Sequence, residues 1–172
     1  NEKSHNENFN HIIRDGHYLS EEDGTLDKEK FEKEFKSMIE YINLKTKNKK
    51  VIAVGNPPYQ ESDGGFGASA TMIYPYFIEN ILDSNVINEF ILVVPSRWFS
   101  GGKNLNRFRE RMMTCNQIKN IQYFERSEDV FPTVQIKGGV CFLHWTALYN
   151  GKPIFNFGNA CAPIDLGRFD VI

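Results

Sequence analysis

Asn56-Pro57-Pro58-Tyr59 sets an amide, stiffened backbone carbonyls and a phenol ring side by side. Each proline fixes its own φ and pushes the residue before it toward extended backbone, so this stretch is a rigid ledge and not a pliable loop. Its amide oxygen and carbonyls can accept hydrogen bonds from an amino group, and the phenol can stack on a ring. Those parts suit holding a flat heterocycle by its amine. A proline-rich turn carrying a surface tyrosine is the structural alternative. Immediately upstream, Val51-Ile52-Ala53-Val54-Gly55 reads as a buried parallel strand. That places the ledge at a strand's C-terminal mouth, where open α/β sheets bind ligands.

Other residues with chemical potential are more dispersed. Cys115, Cys141 and Cys161 are odd in number and lack zinc-like spacing, so they read as reduced thiols of a cytoplasmic protein. His5, His11, His17 and His144 form no ligand pattern either, and no metal is expected; His144, on an apolar strand, reads as a satisfied core histidine. Arg97, Lys103, Arg107, Arg109 and Arg111 form a basic cluster that could meet phosphates or simply be a solvated helix face with Glu110 as a local partner. Trp98 fits either a pocket mouth or the core, and the glycines of Gly64 to Gly67 either a closing loop or plain flexibility.

The 172 residues are 41% hydrophobic, enough for one compact core and too few for two full domains. A formal net charge of −2 gives no global basic field, and no apolar run is long enough to span a membrane. The chain starts at Asn1 without a leader pattern and stops at Ile172 without an evident boundary, and it reads as part of a longer polypeptide.

The ledge must be positioned by the elements around it. His11 to Arg14 is a possible short strand, and Leu26 to Leu44 an amphipathic helix with Phe31, Phe35, Met38, Ile39 and Ile42 on one face. A helix is expected from about Pro75, a strand at Phe90 to Val94, and a helix capped by Asn104 that buries Leu105, Phe108 and Met112. Further strands are expected at Ile118 to Phe124, Val140 to Trp145 and Ile154 to Phe157. Strands alternate with helices and then follow one another, which predicts an α/β fold: a mainly parallel sheet with an antiparallel edge.

Asn56-Pro57-Pro58-Tyr59 after an apolar strand resembles the catalytic motif of amino-methyltransferases acting on adenine in DNA. Phe90 to Trp98 resembles the strand-plus-proline segment that follows in that family. Asp129-Val130-Phe131-Pro132 and Ile136-Lys137-Gly138-Gly139-Val140 are similar to a late segment of type II restriction–modification methyltransferases. These matches span residues 51–145 in the family's order. Ile12 to Leu19 looks like the earlier strand-end motif whose acidic residue, here Asp15, contacts the cofactor.

The resemblance implies a partial doubly wound, Rossmann-like sheet and site-specific methylation of adenine by a restriction–modification enzyme. S-adenosylmethionine would be the methyl donor and double-stranded DNA the substrate. Asn56, Pro57, Pro58 and Tyr59 would be catalytic, Tyr59 and Phe131 would stack on the flipped base, and Asp15 and Asn56 would meet the cofactor. Arg97, Lys103 and Arg107 would contact phosphates. The family's Phe-x-Gly-x-Gly turn is absent, so residues 1–172 correspond to the C-terminal half of a catalytic domain, with the cofactor turn and target-recognition domain elsewhere in the parent polypeptide. Such a half is expected to be inactive alone. Methylation of a protein glutamine amide, or a non-catalytic DNA-binding or scaffold role, are the alternatives.

Overall fold

The computed structural model describes residues 26–47, 49–60, 71–102 and 104–168. Asp15, the possible strand at His11 to Arg14, Lys103 and the glycines of Gly64 to Gly67 lie outside them.

Helix α1 (Lys28–Thr46) starts at Asp27, whose side chain accepts from the Lys30 amide at 3.0 Å. Strand β1 (Ile52–Gly55) leads into the ledge, and α2 (Tyr74–Asp83) begins with Pro75 in its first turn. Strand β2 (Glu89–Pro95), α3 (Asn106–Met113), β3 (Ile118–Phe124), β4 (Val140–Thr146), β5 (Ile154–Phe157) and β6 (Ala160–Pro163) complete the order. One sheet results, ordered β1-β2-β4-β3-β5-β6.

Strands β1, β2, β3 and β5 share one direction, while β4 and β6 run against them. The antiparallel edge is therefore present as β6. A second antiparallel strand, β4, is inserted between β2 and β3 and pairs with both. The result is a mixed α/β sheet. Both crossovers, β1 to β2 and β2 to β3, advance the same way across it, so right-handed connection puts α2 and α3 on one face. Helix α1 joins them through Phe31, whose ring meets Phe77 edge-on at 4.8 Å.

Alternation along β2 buries Phe90, Leu92 and Val94 beneath these helices and leaves Ile91 on the opposite face, 36% exposed. Phe90 stacks on Trp145, and Trp98, Phe108 and Tyr74 meet edge-on, so aromatic rings fill much of the core. Strand β1 departs from the buried strand its apolar run predicts. It stands at one end of the sheet order, and Ile52 and Val54 are 50% and 75% exposed. An apolar run is buried only when elements cover both faces and both edges; β1 has β2 as its one strand neighbour among the described residues.

Helix α3 also starts later than its sequence suggests. Asn104 adopts φ +66° and does not cap; Asn106 instead accepts from the Gly102 amide through its side chain at 2.8 Å. On the open face of the sheet, Glu89 accepts from Lys50 and lies 2.6 Å from His144 Nε2, so that histidine is satisfied as expected but is half-buried on the open face and not in the core. Lys50 first and His144 second hold the Glu89 carboxyl below its usual range. A depressed carboxyl stabilises the fold above its unfolded pKa, near ~4.3, and loses that contribution as pH falls through the folded value. Glu89→Gln is expected to lower the urea midpoint at pH 7, with the difference from the parent shrinking as pH falls below the unfolded carboxyl range and vanishing only below the depressed folded value.

Candidate active site

The ledge leaves the C-terminal end of β1 with Asn56 exposed, Pro57 buried, Pro58 exposed and Tyr59 half-buried. Its far end is anchored. The Ile73 amide donates to the Tyr59 carbonyl at 2.9 Å, and Gln60 bridges Met72 in antiparallel fashion. The chain on either side of residues 61–70 is thus tied together at the mouth of the sheet.

Burial is the main force raising the Tyr59 hydroxyl pKa to about 12, with the Cys141 sulfur adding to it. The Asn56 side chain lies close enough to oppose the shift, yet no hydrogen bond of normal geometry reaches that hydroxyl. Tyr59 is therefore a neutral phenol at physiological pH, suited to stacking and not to acting as a base. Behind the ledge, Tyr74 is fully buried and its hydroxyl too is raised, by burial first. The Cys141 thiol is pushed up to about 12 by the same cause. Cys161 is exposed. A thiol reagent is expected to modify Cys161 readily in the native protein and to reach Cys141 only in denaturant, which mass spectrometry of the labelled peptides would check.

Tyr59 forms one wall of a cleft of about 310 Å³. Gln60, Met72, Pro95, Arg97 and Val134 to Lys137 complete its lining. Val134 to Lys137 belong to the connection between β3 and β4, and two buried serines hold it. Ser127 donates through Oγ to the Val134 carbonyl and accepts from the Ile136 amide, both at 2.8 Å. Its carbonyl accepts from the amides of Val130 at 3.0 Å and Phe131 at 2.8 Å. Ser96, at the end of β2, donates through its hydroxyl to the Gly138 carbonyl, and its amide donates to the Gly139 carbonyl at 3.1 Å. The Tyr123 hydroxyl reaches the same Gly138 carbonyl at 3.2 Å. Gly138 and Gly139 have φ of +90° and +77°, the left-handed region in which side chains are strained.

The sequence-predicted residues are only partly gathered here. Tyr59 and Arg97 meet at the cleft, while Asn56, Pro57 and Pro58 precede Tyr59 on the ledge and are not part of the lining. Phe131 is half-buried on the Ser127-held connection, three residues before the lining begins, and is not itself part of the lining. Trp98 is fully buried, which settles it as core. Arg111 pairs with Asp83 at 2.7 Å and not with Glu110, and Arg107 helps lower the Asp83 carboxyl after Arg111. The Arg109 Nε donates to the Phe99 carbonyl at 2.8 Å. Arg107 thus acts at the C-terminal end of α2, while Arg97 stands at the cleft. Ser96 and Lys137 fall within the segments that carry the family resemblance but receive no role from sequence, and Ser127 gives no sequence signal at all. Only the Gly138-Gly139 pair beside Lys137 signalled that the backbone there turns sharply.

The strand-end ledge and the cleft lie together on a mixed α/β sheet. Residues 1–131 match the Eco57I restriction-modification methylase family, and the chain belongs to that family. It is also 32% identical over 108 residues to an uncharacterized adenine-specific methylase of Mycoplasma pneumoniae strain ATCC 29342 / M129, a match covering 61% of this chain and 25% of that relative. The chain thus spans about a quarter of the relative's length. A solved chain from work on complex assembly and conformational transition of the type I R-M system is similar at a TM-score of 0.46 and 12% identity, over 73% of this chain and 28% of that one. Among the described residues no helix is long and apolar enough to cross a membrane.

Proposed function

We propose that this chain supplies the substrate-side half of a site-specific DNA adenine methyltransferase of a restriction–modification system. The observation that carries the reading is the Asn56–Tyr59 ledge at the C-terminal end of β1, whose Tyr59 lines a cleft of about 310 Å³, in a member of the Eco57I family. In this reading residues 51–145 bear the motifs of a doubly wound, Rossmann-like catalytic domain. The cofactor turn and the target-recognition domain belong to other parts of the parent polypeptide.

Adenine's exocyclic amine is a poor nucleophile because its lone pair is delocalised into the ring. The Asn56 side-chain oxygen and the Pro57 carbonyl each accept one N–H, which favours a more tetrahedral nitrogen and localises that pair. Neither acceptor need be a strong base, since the amine becomes acidic only as it gains the methyl. The base first leaves the duplex. Tyr59 stacks on it, and Phe131 closes the second side. Base–aromatic stacking is worth roughly 1–3 kcal/mol per base, comparable with the cost of unstacking. Arg97, with Lys103 and Arg107 further along the same segment, supplies backbone contacts.

S-adenosylmethionine is the methyl donor assigned to the reaction, its sulfonium methyl being the electrophile. Of the two contacts expected for it, Asp15 and Asn56, the described residues include Asn56. Double-stranded DNA, the other domains of the polypeptide and a cytoplasmic setting complete the proposal.

The reading is tested by offering the protein expressed from its complete open reading frame two acceptors together. One is genomic DNA free of adenine methylation and the other is a glutamine-bearing release factor, with labelled methyl donor present. Label in the DNA supports the proposal. Label confined to the protein acceptor would instead establish glutamine-amide methylation, and label in neither would favour a non-catalytic binding role.

A further inference from the structure

We infer that Arg97 and Lys137 form a two-cation clamp for a phosphodiester of the strand whose adenine enters the Tyr59 cleft. The inference rests on the DNA-methylating reading above and adds to it a binding site built from two segments far apart in sequence.

The geometry begins with Ser96. Its hydroxyl and amide tie it to the carbonyls of Gly138 and Gly139, so the residue after Ser96 and the residue before Gly138 are brought to one place. Those residues are Arg97 and Lys137, and both line the cleft that holds Tyr59. The Tyr123 hydroxyl on the Gly138 carbonyl adds a third strap. Ser127, with its two bonds to the Val134 carbonyl and Ile136 amide, fixes the approach to Lys137 from the other side. The two cations therefore sit on backbone already held in place, and little ordering is left to offset when an anion binds.

Charge points to the same ligand. Among the described residues neither Arg97 nor Lys137 is held in an ion pair. Glu125, Glu128 and Asp129 share the connection with Lys137, yet none of them pairs with either cation, and Glu125 acts instead on Tyr123. Arg97 is half-buried and its positive charge is felt by the buried Tyr74 hydroxyl, so it lies over the interior of the site and is not splayed into solvent. Lys137 is exposed at the rim. A fork over the cleft and a point charge at its lip suit one phosphate group approached from two sides. At about 310 Å³ the cleft is at the small end of ligand pockets, which run from roughly 300 to 1,000 Å³. A base seated in it remains joined to its sugar and phosphate, so the phosphate belonging to that base must pass the rim.

The test uses the complete protein, unmethylated genomic DNA and labelled methyl donor, with initial rates measured across DNA concentration and from 0.05 to about 0.3 M salt. A phosphate contact contributes a slope of about 0.7–0.9 in log affinity against log salt, or roughly five- to eight-fold at tenth-molar relative to molar salt. The Arg97→Ala/Lys137→Ala double variant is expected to raise the apparent KM for DNA by about that factor and to lower the salt slope by nearly one, and each single variant to do about half of this, roughly two- to three-fold in KM. The effect on kcat should be smaller. Lys137→Arg should restore the slope, which a loss of packing alone would not permit. Unchanged KM and slope in the double variant, while Asn56→Ala still abolishes transfer, would overturn the clamp and leave the adenine reading standing. Failure of the unaltered protein to methylate DNA at all would overturn both.

Discussion

Replacing Asn56 with alanine in the complete protein is expected to cut the turnover of methyl transfer by at least about a hundred-fold, with little change in thermal stability. The rate loss follows from what the amide oxygen is proposed to do. It accepts one N–H of the adenine amine and strengthens as that nitrogen becomes tetrahedral, so the interaction is made mainly in the transition state. Removing a single pre-positioned hydrogen-bond partner of a developing charge costs on the order of 10²–10³ in kcat. The stability half of the expectation follows from placement. Asn56 is exposed at the end of β1, so truncating it opens no cavity and breaks no strand pairing. Parallel measurements of kcat and of the melting midpoint by circular dichroism separate the two effects. A comparable fall in both would mean that Asn56 holds structure, not substrate.

Gly139→Ala should act the other way, through the fold. A Cβ built on Gly139 would lie 2.1 Å from the Phe124 carbonyl oxygen and 2.7 Å from that of Glu125, both backbone atoms that cannot swing aside. The residue also keeps φ +77°, where a side chain adds about 1–3 kcal/mol of strain on its own. Relief requires moving either the end of β3 or the entry to β4, and Ser96 is bonded to that entry. We expect a drop of several kcal/mol in unfolding free energy by urea titration, or recovery only as aggregate. A midpoint within experimental error of the parent would show that this turn tolerates rearrangement. Gly138→Ala is the informative companion: it carries φ +90°, but its added Cβ would find Ser96 Oγ no closer than 3.9 Å, so the conformational strain should appear without the clash.

Much of the fold is legible in the sequence, and the reasons differ by element. Strands β3 and β5 fall where their apolar runs place them, and Pro75 marks the start of α2 because a proline suits a helix's first turn. Strand β1 has the right span but not the expected burial, since composition records how apolar a strand is and not how many neighbours it has. The insertion of β4 between β2 and β3 is a fact of pairing, decided by register with two distant strands, and local pattern carries no signal for it. Asn104 was a fair N-cap by residue type; the positive φ there and the Gly101-Gly102 pair before it carry the chain past that position, and α3 begins at Asn106.

The site divides along the same line. Its ledge is legible because two consecutive prolines constrain backbone by themselves. The connection between β3 and β4 is not, because Ser127 and Ser96 act through hydrogen bonds to residues 7 and 42 positions away. A serine in sequence looks the same whether it faces solvent or holds a loop. Once that segment is in place, Lys137 joins Tyr59 and Arg97 in the lining of the cleft.

The most direct test of the central claim is the identity of the methylated nucleoside. Genomic DNA lacking adenine methylation, incubated with the protein from its complete open reading frame and isotopically labelled S-adenosylmethionine, is digested to nucleosides and resolved by mass spectrometry. The account predicts label on the exocyclic nitrogen of deoxyadenosine, absent from the Asn56→Ala reaction. Label on a cytosine, or equal label on adenine with Asn56 replaced, would contradict it.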